Sequence, residues 1–173
     1  MRLFFNILRI KKIPDLSWSS KNPLNFKPKL ITLIYLIIGL ALFAIGETLL
    51  ITANLGVSPW TVLAQGISFQ FNFSIGISTF IISIIFLLFW YPLKQKPGLG
   101  TILNVILISI VIDLSSPILP YPKTFFYQIL QSIIAVFIVG LGSGFYLTAN
   151  LGSGPRDGLM TGLQNLTNQS IAL

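Results

Sequence analysis

Hydrophobic positions along the chain gather in four long continuous runs rather than in an alternating pattern. The runs are Leu30–Ala53, Ser74–Tyr91, Gly98–Ser116 and Phe125–Leu147. Each is close to the roughly 20 apolar residues that a helix needs to cross a bilayer core about 30 Å thick. Because strands enter lipid only as closed barrels with alternating faces, we predict an all-α fold, a multi-pass transmembrane helical bundle.

Two further segments, Pro59–Phe71 and Pro155–Leu166, are too short and too polar to span a membrane. Each begins within one copy of an internal repeat. Residues 46–66, GETLLITANLGVSPWTVLAQG, align with residues 142–162, GSGFYLTANLGSGPRDGLMTG. Nine positions are identical, and the TANLG match is unbroken.

The repeat predicts a broken helix in each half of the chain. Gly56 and Gly152 can adopt the left-handed conformation that closes a helix, so a long helix is expected to end there. Pro59 and Pro155 then suit the first turn of a short helix, where a missing N–H costs nothing. The sequence therefore predicts a long helix, a sharp break and a short helix, twice.

Three predicted spans separate corresponding points of the two copies, and an odd number of crossings reverses direction. We therefore predict inverted internal repeats, with repeat one at residues 30–118 and repeat two at residues 125–173. This architecture is common in secondary transporters, whose sites lie between matching broken helices. The second repeat lacks two spans of a complete unit, so the chain is either a protein that works with an incomplete second half or a C-terminally truncated version of a six-span protein. The alternative is that the breaks are ordinary loops and the duplication reflects ancestry only.

The composition indicates a protein embedded in lipid, and the distribution of charge predicts its orientation in the membrane. Only 9% of residues are charged, where soluble domains carry about 25%. Seven of the eleven basic residues lie in a basic N-terminal arm, residues 1–29. Lys and Arg beside a first span hold that end inside, so we predict a plasma-membrane protein with a cytoplasmic N-terminus. We prefer this interpretation of the arm to nucleic-acid binding.

The residue inventory also limits chemistry. The chain has no Cys and no His, which excludes disulfides, thiolate metal sites and imidazole catalysis. No nucleophile beside a base and no paired carboxylates are evident, so we expect neither an enzyme nor a cofactor or metal. Trp60 and Trp90 fall near predicted interfaces, as in an aromatic belt. Small residues are expected to form a packing seam between the repeats, at Gly39, Gly46, Gly140, Gly142 and Gly144.

Three motifs resemble a known family. They are NLGVSPWTVLAQGIS at residues 54–68, NLGSGPRDGLMTGL at 150–163, and WYPLKQKPGLGTILNVILISIVIDL at 90–114. They are similar to YczE-like bacterial integral membrane proteins, within the wider YczE/YyaS/YitT group, from about residue 30 onward. The resemblance implies a fold and a membrane location but no reaction. This chain has Thr61 where that family often has an acidic residue, and the family normally continues past residue 173.

Candidate functional residues cluster around the two breaks. We expect a substrate site built from Asn54, Trp60, Asn150, Arg156 and Asp157. Arg156 at a helix N-terminus favours a nearby anion, which is Asp157, a lipid phosphate or an anionic small molecule.

Polar residues inside the predicted spans add further candidates. Glu47 is a candidate intramembrane proton or ion site, the alternative being a protonated carboxyl bonded to a neighbouring helix. We expect Asp113 to serve as a structural cap and Asn104 to bond helices together.

The leading functional hypothesis is a small transporter or permease with its site between the two breaks. The alternative is a membrane-embedded regulatory or accessory protein without transport activity. A polar cavity lined by both breaks would favour transport, and a dry packed core would favour the alternative. A homo-oligomer is compatible with an incomplete second half, because that half leaves packing surface unmatched.

Overall fold

The computed structural model describes residues 16–167, and every regular element within them is an α-helix. Arg2, Arg9, Lys11 and Lys12 of the basic arm lie outside the described residues. The helices follow in chain order as α1 (Leu30–Ala53), α2 (Pro59–Phe71), α3 (Ile75–Trp90), α4 (Leu99–Ser115), α5 (Phe125–Ala149) and α6 (Pro155–Thr167). The predicted all-α fold and both short helices are confirmed.

Two of the four predicted spans are shorter than the hydrophobic runs indicated. By length and composition, α1 and α5 are able to cross a membrane, and the bent pair α2–α3 is a third candidate if counted as one span. Helix α3 has 16 residues and α4 has 17, or about 24 and 26 Å at 1.5 Å per residue. Each ends two residues before a proline, at Pro92 and Pro117, which has no N–H to continue a helix.

The helix breaks have the expected positions but a different closing residue. Asn54 and Asn150, rather than the glycines, are the C-caps, with φ of 56° and 51° in the left-handed region. Asparagine tolerates this conformation better than most side chains. Gly152 follows with a φ of 113°, so the glycine shapes the linker that leads to the short helix.

Helices α1 and α5 form the central pair and run antiparallel. A Cβ added at Gly46 would lie 2.7 Å from Val139 Cγ2, and one added at Gly142 would lie 2.4 Å from the Phe43 amide nitrogen. The repeat shifts numbers by 96, so Gly46–Val139 and Phe43–Gly142 are the same contact seen from each copy. The two repeats are therefore related by a pseudo-twofold axis through this crossing, as inverted repeats require.

Only part of the predicted glycine seam lies at this crossing. Gly39 joins Gly46 and Gly142 there, since its Cβ would lie 2.7 Å from the Tyr146 amide nitrogen. Gly140 and Gly144 lie on another face of α5, where a Cβ on either residue would have no neighbour within 4 Å. A period of 3.6 residues per turn explains the difference, because residues two apart on a helix do not share a face.

The two breaks lie at opposite ends of the bundle. The first is next to the start of α5, where Gln131 Nε2 donates to Leu49 O at 3.1 Å. The second is next to the segment before α1, where Asn150 Nδ2 donates to Ser20 O at 2.8 Å. The inverted arrangement of the repeats is thus visible in the packing of both long helices.

The distribution of side chains is that of a protein surrounded by hydrocarbon. Large apolar side chains cover the outside, including Phe69 at 89% exposed and Phe137 at 70%. Small polar side chains such as Thr48, Ser78 and Thr101 are fully buried. Membrane helices pack through such small residues, because lipid gives no hydrophobic gain for burying Leu or Phe between them.

Candidate functional site

A small cavity with polar groups in a largely apolar wall lies inside the bundle, between the N-terminal turns of the two short helices. Its volume is about 50 Å³, which corresponds to a few water positions, since each needs roughly 10–15 Å³. All six helices or their caps contribute to the wall. The polar lining residues are Glu47, Ser58, Thr61, Thr79, Ser83, Asn104, Tyr146, Arg156 and Asp157. The apolar lining comes from Phe43, Trp60, Ile108, Ile112, Gly154 and Pro155.

Glu47 of α1 forms one side of the cavity together with the start of α2. The Thr61 hydroxyl donates to Glu47 Oε2 at 2.7 Å, and Ser58 Oγ lies 2.9 Å from Thr61 Oγ1. Since the Thr61 proton points to the carboxyl group, Ser58 is the donor to Thr61. Ser58 also caps α2 by accepting from the Thr61 amide. The cap of the short helix and the buried carboxyl thus belong to one hydrogen-bonded chain.

Arg156 and Asp157 of α6 form the opposite side. The Tyr146 hydroxyl donates to Asp157 Oδ2, and Arg156 Nε lies 3.5 Å from Asp157 Oδ1. The Arg156 side chain is 42% exposed and that of Asp157 is 29% exposed. Asp157 is in the first turn of α6, where the helix dipole favours a negative charge. The arginine is therefore the more accessible partner, located at the rim of the cavity.

The two sides correspond to each other through the repeat. Thr61 and Asp157 are equivalent positions, 96 residues apart, and so are Trp60 and Arg156. In each half the third residue of the short helix makes a hydrogen bond to the preceding long helix, to Glu47 or to Tyr146. The pseudo-twofold axis thus brings two equivalent turns together around one cavity, with different chemistry on each side.

The middle of the cavity is lined by α3 and α4. Ser83 and Asn104 are 4% and 9% exposed, and no side-chain hydrogen bond of either residue is found within residues 16–167, so their polar atoms are open to the cavity. Thr79 donates its proton to Ile75 O, so its oxygen retains free lone pairs. A Cβ at Gly154 would lie 3.2 Å from Asn104 Nδ2 and 3.3 Å from Asp157 Oδ2. Asn104 is therefore close to the Asp157 side, and glycine at position 154 makes room for both groups.

The structure brings some of the sequence-predicted site residues to the cavity and places others elsewhere. Trp60, Arg156 and Asp157 line it, as do Glu47 and Pro155. Pro59 begins α2 and Pro155 begins α6, so both prolines act as helix starts.

The two asparagines of the predicted substrate site are not among the lining residues. Asn54 is an exposed C-cap, and Asn150 is bonded to Ser20 O. Gly56 and Gly152 belong to the breaks but do not line the cavity either. The asparagines were predicted because they are identical in both repeats, and the structure explains that identity by their backbone conformation.

Several lining residues were missed by sequence reasoning, namely Tyr146, Ser83 and Thr79. Their only signal is polarity inside an apolar run, which small hydroxyl residues in membrane helices share with ordinary packing positions. Trp90 also differs from expectation. It is 2% exposed and donates from Nε1 to Pro155 O at 3.0 Å, so it holds α6 against α3 instead of lying in an interfacial belt.

Asp113 caps a helix, as its position near the end of α4 indicated. Its Oδ1 accepts from the Gly76 amide at 2.8 Å, and its Oδ2 accepts from the Ser74 hydroxyl. These bonds satisfy the N-terminus of α3 just after the 114° bend between α2 and α3. Asp113 therefore serves the architecture around the cavity and does not line it.

Comparison with known proteins gives a family match and several relatives. The sequence profile of the "Family of unknown function (DUF6198)" matches residues 30–172. An uncharacterized protein of Haemophilus influenzae is 41% identical over 155 residues, which is 90% of this chain and 70% of the relative. The Bacillus subtilis "uncharacterized membrane protein YczE" is 35% identical over 124 residues, 70% of this chain and 58% of the relative. YyaS of the same organism is 28% identical over 138 residues, 78% of this chain and 69% of the relative. No solved structure matches the chain.

Proposed function

The chain belongs to the DUF6198 family and is related to the membrane protein YczE, and from the geometry of its cavity we propose that it is a small permease for polar solutes. The resemblance deduced from the NLG motifs is confirmed by these matches. The family assignment supplies membrane location but no activity, so the permease proposal depends on the site.

One observation carries the proposal, namely that both inverted breaks contribute polar side chains to a single cavity. Ser58 and Thr61 reach it from one end of the bundle, and Arg156 and Asp157 reach it from the other. Transporters with inverted repeats place the solute between such broken helices, because opening either half exposes the same site to one side. The proposed solute has an anionic group that Arg156 binds at the rim, with the N-terminal turns of α2 and α6 beside it.

A ligand-stabilisation screen tests the proposal. Purified protein is melted with a library of small anionic and zwitterionic solutes, and the same screen is run on Arg156→Ala. A solute at about 100 times its dissociation constant adds about 2.7 kcal/mol, or roughly 5–11 °C in Tm for a chain of this size. We expect such a rise in wild type and its loss in Arg156→Ala, while Lys96→Ala, an exposed basic residue outside the cavity, keeps it.

Lipid phosphate is the other source of an anion for Arg156. The screen is therefore repeated with and without phosphatidylglycerol in the micelles. A Tm rise that needs only the anionic lipid assigns Arg156 to a headgroup and contradicts the solute site. A library in which nothing stabilises wild type contradicts the permease proposal as a whole.

The small size of the cavity favours a second candidate, a membrane-embedded regulatory or accessory protein. At about 50 Å³ the cavity is no continuous path, and the adjacent α1–α5 crossing is tightly packed. Such a protein would bind a second membrane protein and no solute. Co-purification of a defined partner, together with a screen in which no solute raises the Tm, would support this candidate.

We also propose a plasma-membrane location with the N-terminus in the cytoplasm. A Cβ at Gly98 would lie 2.6 Å from Pro23 O and 2.3 Å from Leu151 O. The Lys21–Lys29 segment, the α3–α4 loop with its two lysines and the second break thus gather at one end of the bundle. Clustered Lys and Arg mark the cytoplasmic side. Single-Cys reporters in this Cys-free chain test it, and labelling of this end from outside intact cells would contradict it.

A further inference from the structure

Glu47 is a buried carboxyl group that has no basic partner among residues 16–167. Its side chain is 6% exposed, and the ion pair found within residues 16–167 is Arg156–Asp157, on the other side of the cavity. An ionised group at membrane depth is costly unless a counter-charge or several donors surround it. Glu47 receives one hydrogen bond, from Thr61 to Oε2, which leaves Oε1 without a donor among the described residues.

Two hydroxyl groups lie in a row beside the Glu47 carboxyl group. Thr61 donates to the carboxyl group and Ser58 lies within hydrogen-bond distance of the Thr61 hydroxyl, so polar groups cover this side of Glu47. Asp157 is less available to bind a cation than Glu47, because it already accepts hydrogen bonds from Tyr146 and Arg156. One arginine and two carboxyl groups line the cavity, and the arginine is paired with Asp157, so Glu47 has no positive counter-charge among the lining residues.

The rest of the wall supplies neutral oxygen atoms. Ser83 and Asn104 are more than nine-tenths buried, line the cavity and make no hydrogen bond within residues 16–167. Thr79 presents an oxygen whose proton is already donated elsewhere. Carboxylate, hydroxyl and amide oxygens are the ligands that hard cations prefer. Ile108, Ile112 and Phe43 close the remaining wall with apolar groups.

We propose that Glu47 anchors a binding site for a small monovalent cation, Na⁺, with further oxygen ligands from the hydroxyl groups that line the same cavity. A single carboxylate without a basic partner balances one positive charge, and no group of three or more acidic residues occurs among residues 16–167 to hold a divalent metal. The cavity of about 50 Å³ admits a bare ion with few waters and excludes bulky organic cations. The inference rests on the proposed function in one respect, since the cation would then be the coupling ion of the permease.

Thermal unfolding in sodium and choline buffers tests the site without any solute. Purified protein is melted at constant ionic strength while NaCl replaces choline chloride. We expect a saturable rise in wild-type Tm, about 5–11 °C at a Na⁺ concentration near 100 times the dissociation constant. Glu47→Gln keeps an acceptor for Thr61 but removes the charge, and we expect it to lose the rise.

The control is Asp113→Asn, which alters the other acidic residue within the apolar helices. This change weakens the cap of α3 and lowers Tm in every buffer, but the Na⁺-dependent rise should persist. If Glu47→Gln does not fold, Ser83→Ala serves instead and should raise the Na⁺ concentration at half effect several-fold. A wild-type Tm that does not change with Na⁺ concentration, or changes only with pH, contradicts the cation site. A Na⁺-dependent rise of full size in Glu47→Gln contradicts it as well. The solute screen can be run in choline buffer without Na⁺. A negative result for the cation site therefore does not decide the permease proposal, which the solute screen tests separately.

Discussion

Substituting Gly142 by alanine should force the two long helices apart. A Cβ at this position would lie 2.4 Å from the Phe43 nitrogen, 2.7 Å from Gly39 O and 2.9 Å from Phe43 Cα. All three atoms belong to the backbone of α1 and are unable to rotate away. Since carbon atoms pack best at about 3.5–4.0 Å, the helices must separate by roughly 1 Å.

The size of the effect follows from two opposing terms. Overpacking a tight contact costs about 1–3 kcal/mol, whereas replacing a helical glycine by alanine gains up to about 1 kcal/mol in helix propensity. Gly140→Ala measures the second term alone, because nothing lies within 4 Å of its Cβ position on the same helix. We therefore expect Gly142→Ala to be less stable than Gly140→Ala by about 1–3 kcal/mol.

The assay is thermal unfolding of both variants in one detergent. At about 2–4 °C per kcal/mol for chains of this size, their Tm values should differ by roughly 2–12 °C. Equal Tm values would refute the close α1–α5 crossing, and with it the pseudo-twofold arrangement of the repeats. Gly46→Ala should show a smaller loss, since its nearest neighbour is the Val139 side chain, which has some freedom to adjust.

Three further predictions concern the surroundings of the cavity. Thr61→Val removes the donor to Glu47 and should lower stability by about 1–3 kcal/mol, measured as a fall in Tm that Thr61→Ser largely restores. Asp113→Ala removes the cap on α3 and should cost about 0.5–2 kcal/mol; unchanged Tm would show that water replaces the carboxylate. Gly158→Ala would place a Cβ 2.0 Å from Trp90 Cζ2, so we expect α6 to detach from α3. The measurements are faster proteolysis within α6 and a red-shifted tryptophan emission. A protease pattern like that of wild type would contradict the contact.

The outline of the fold could be predicted because its causes are local. The continuous apolar runs, the two TANLG repeats and the prolines after them fixed the helix positions to within a few residues. The closing residue of each break was predicted wrongly, because both Asn and Gly tolerate a positive φ and sequence alone does not rank them. The lengths of α3 and α4 were overestimated, since hydrophobicity extends beyond the last hydrogen-bonded turn.

The candidate site was predicted less completely. Arg156, Asp157 and Glu47 were found because charged groups in apolar surroundings are rare, and their rarity is visible in any sequence. Asn54 and Asn150 were assigned to the site only because both repeats contain them. The structure shows that both asparagines close a helix in the left-handed conformation, which explains why they recur. Tyr146 and Ser83 could not be separated from ordinary packing residues until their neighbours were known.

The sequence by itself determined that this is a helical membrane protein made of two copies of one broken-helix unit in opposite directions. The helical structure follows because a backbone in lipid must satisfy its own hydrogen bonds, and the opposite directions follow from the odd number of membrane crossings between the two copies. Only the tertiary structure decided that Glu47 and Asp157, on helices far apart in the chain, face one cavity. That outcome depends on where α1 and α5 cross, which is set by close glycine contacts between segments about 100 residues apart.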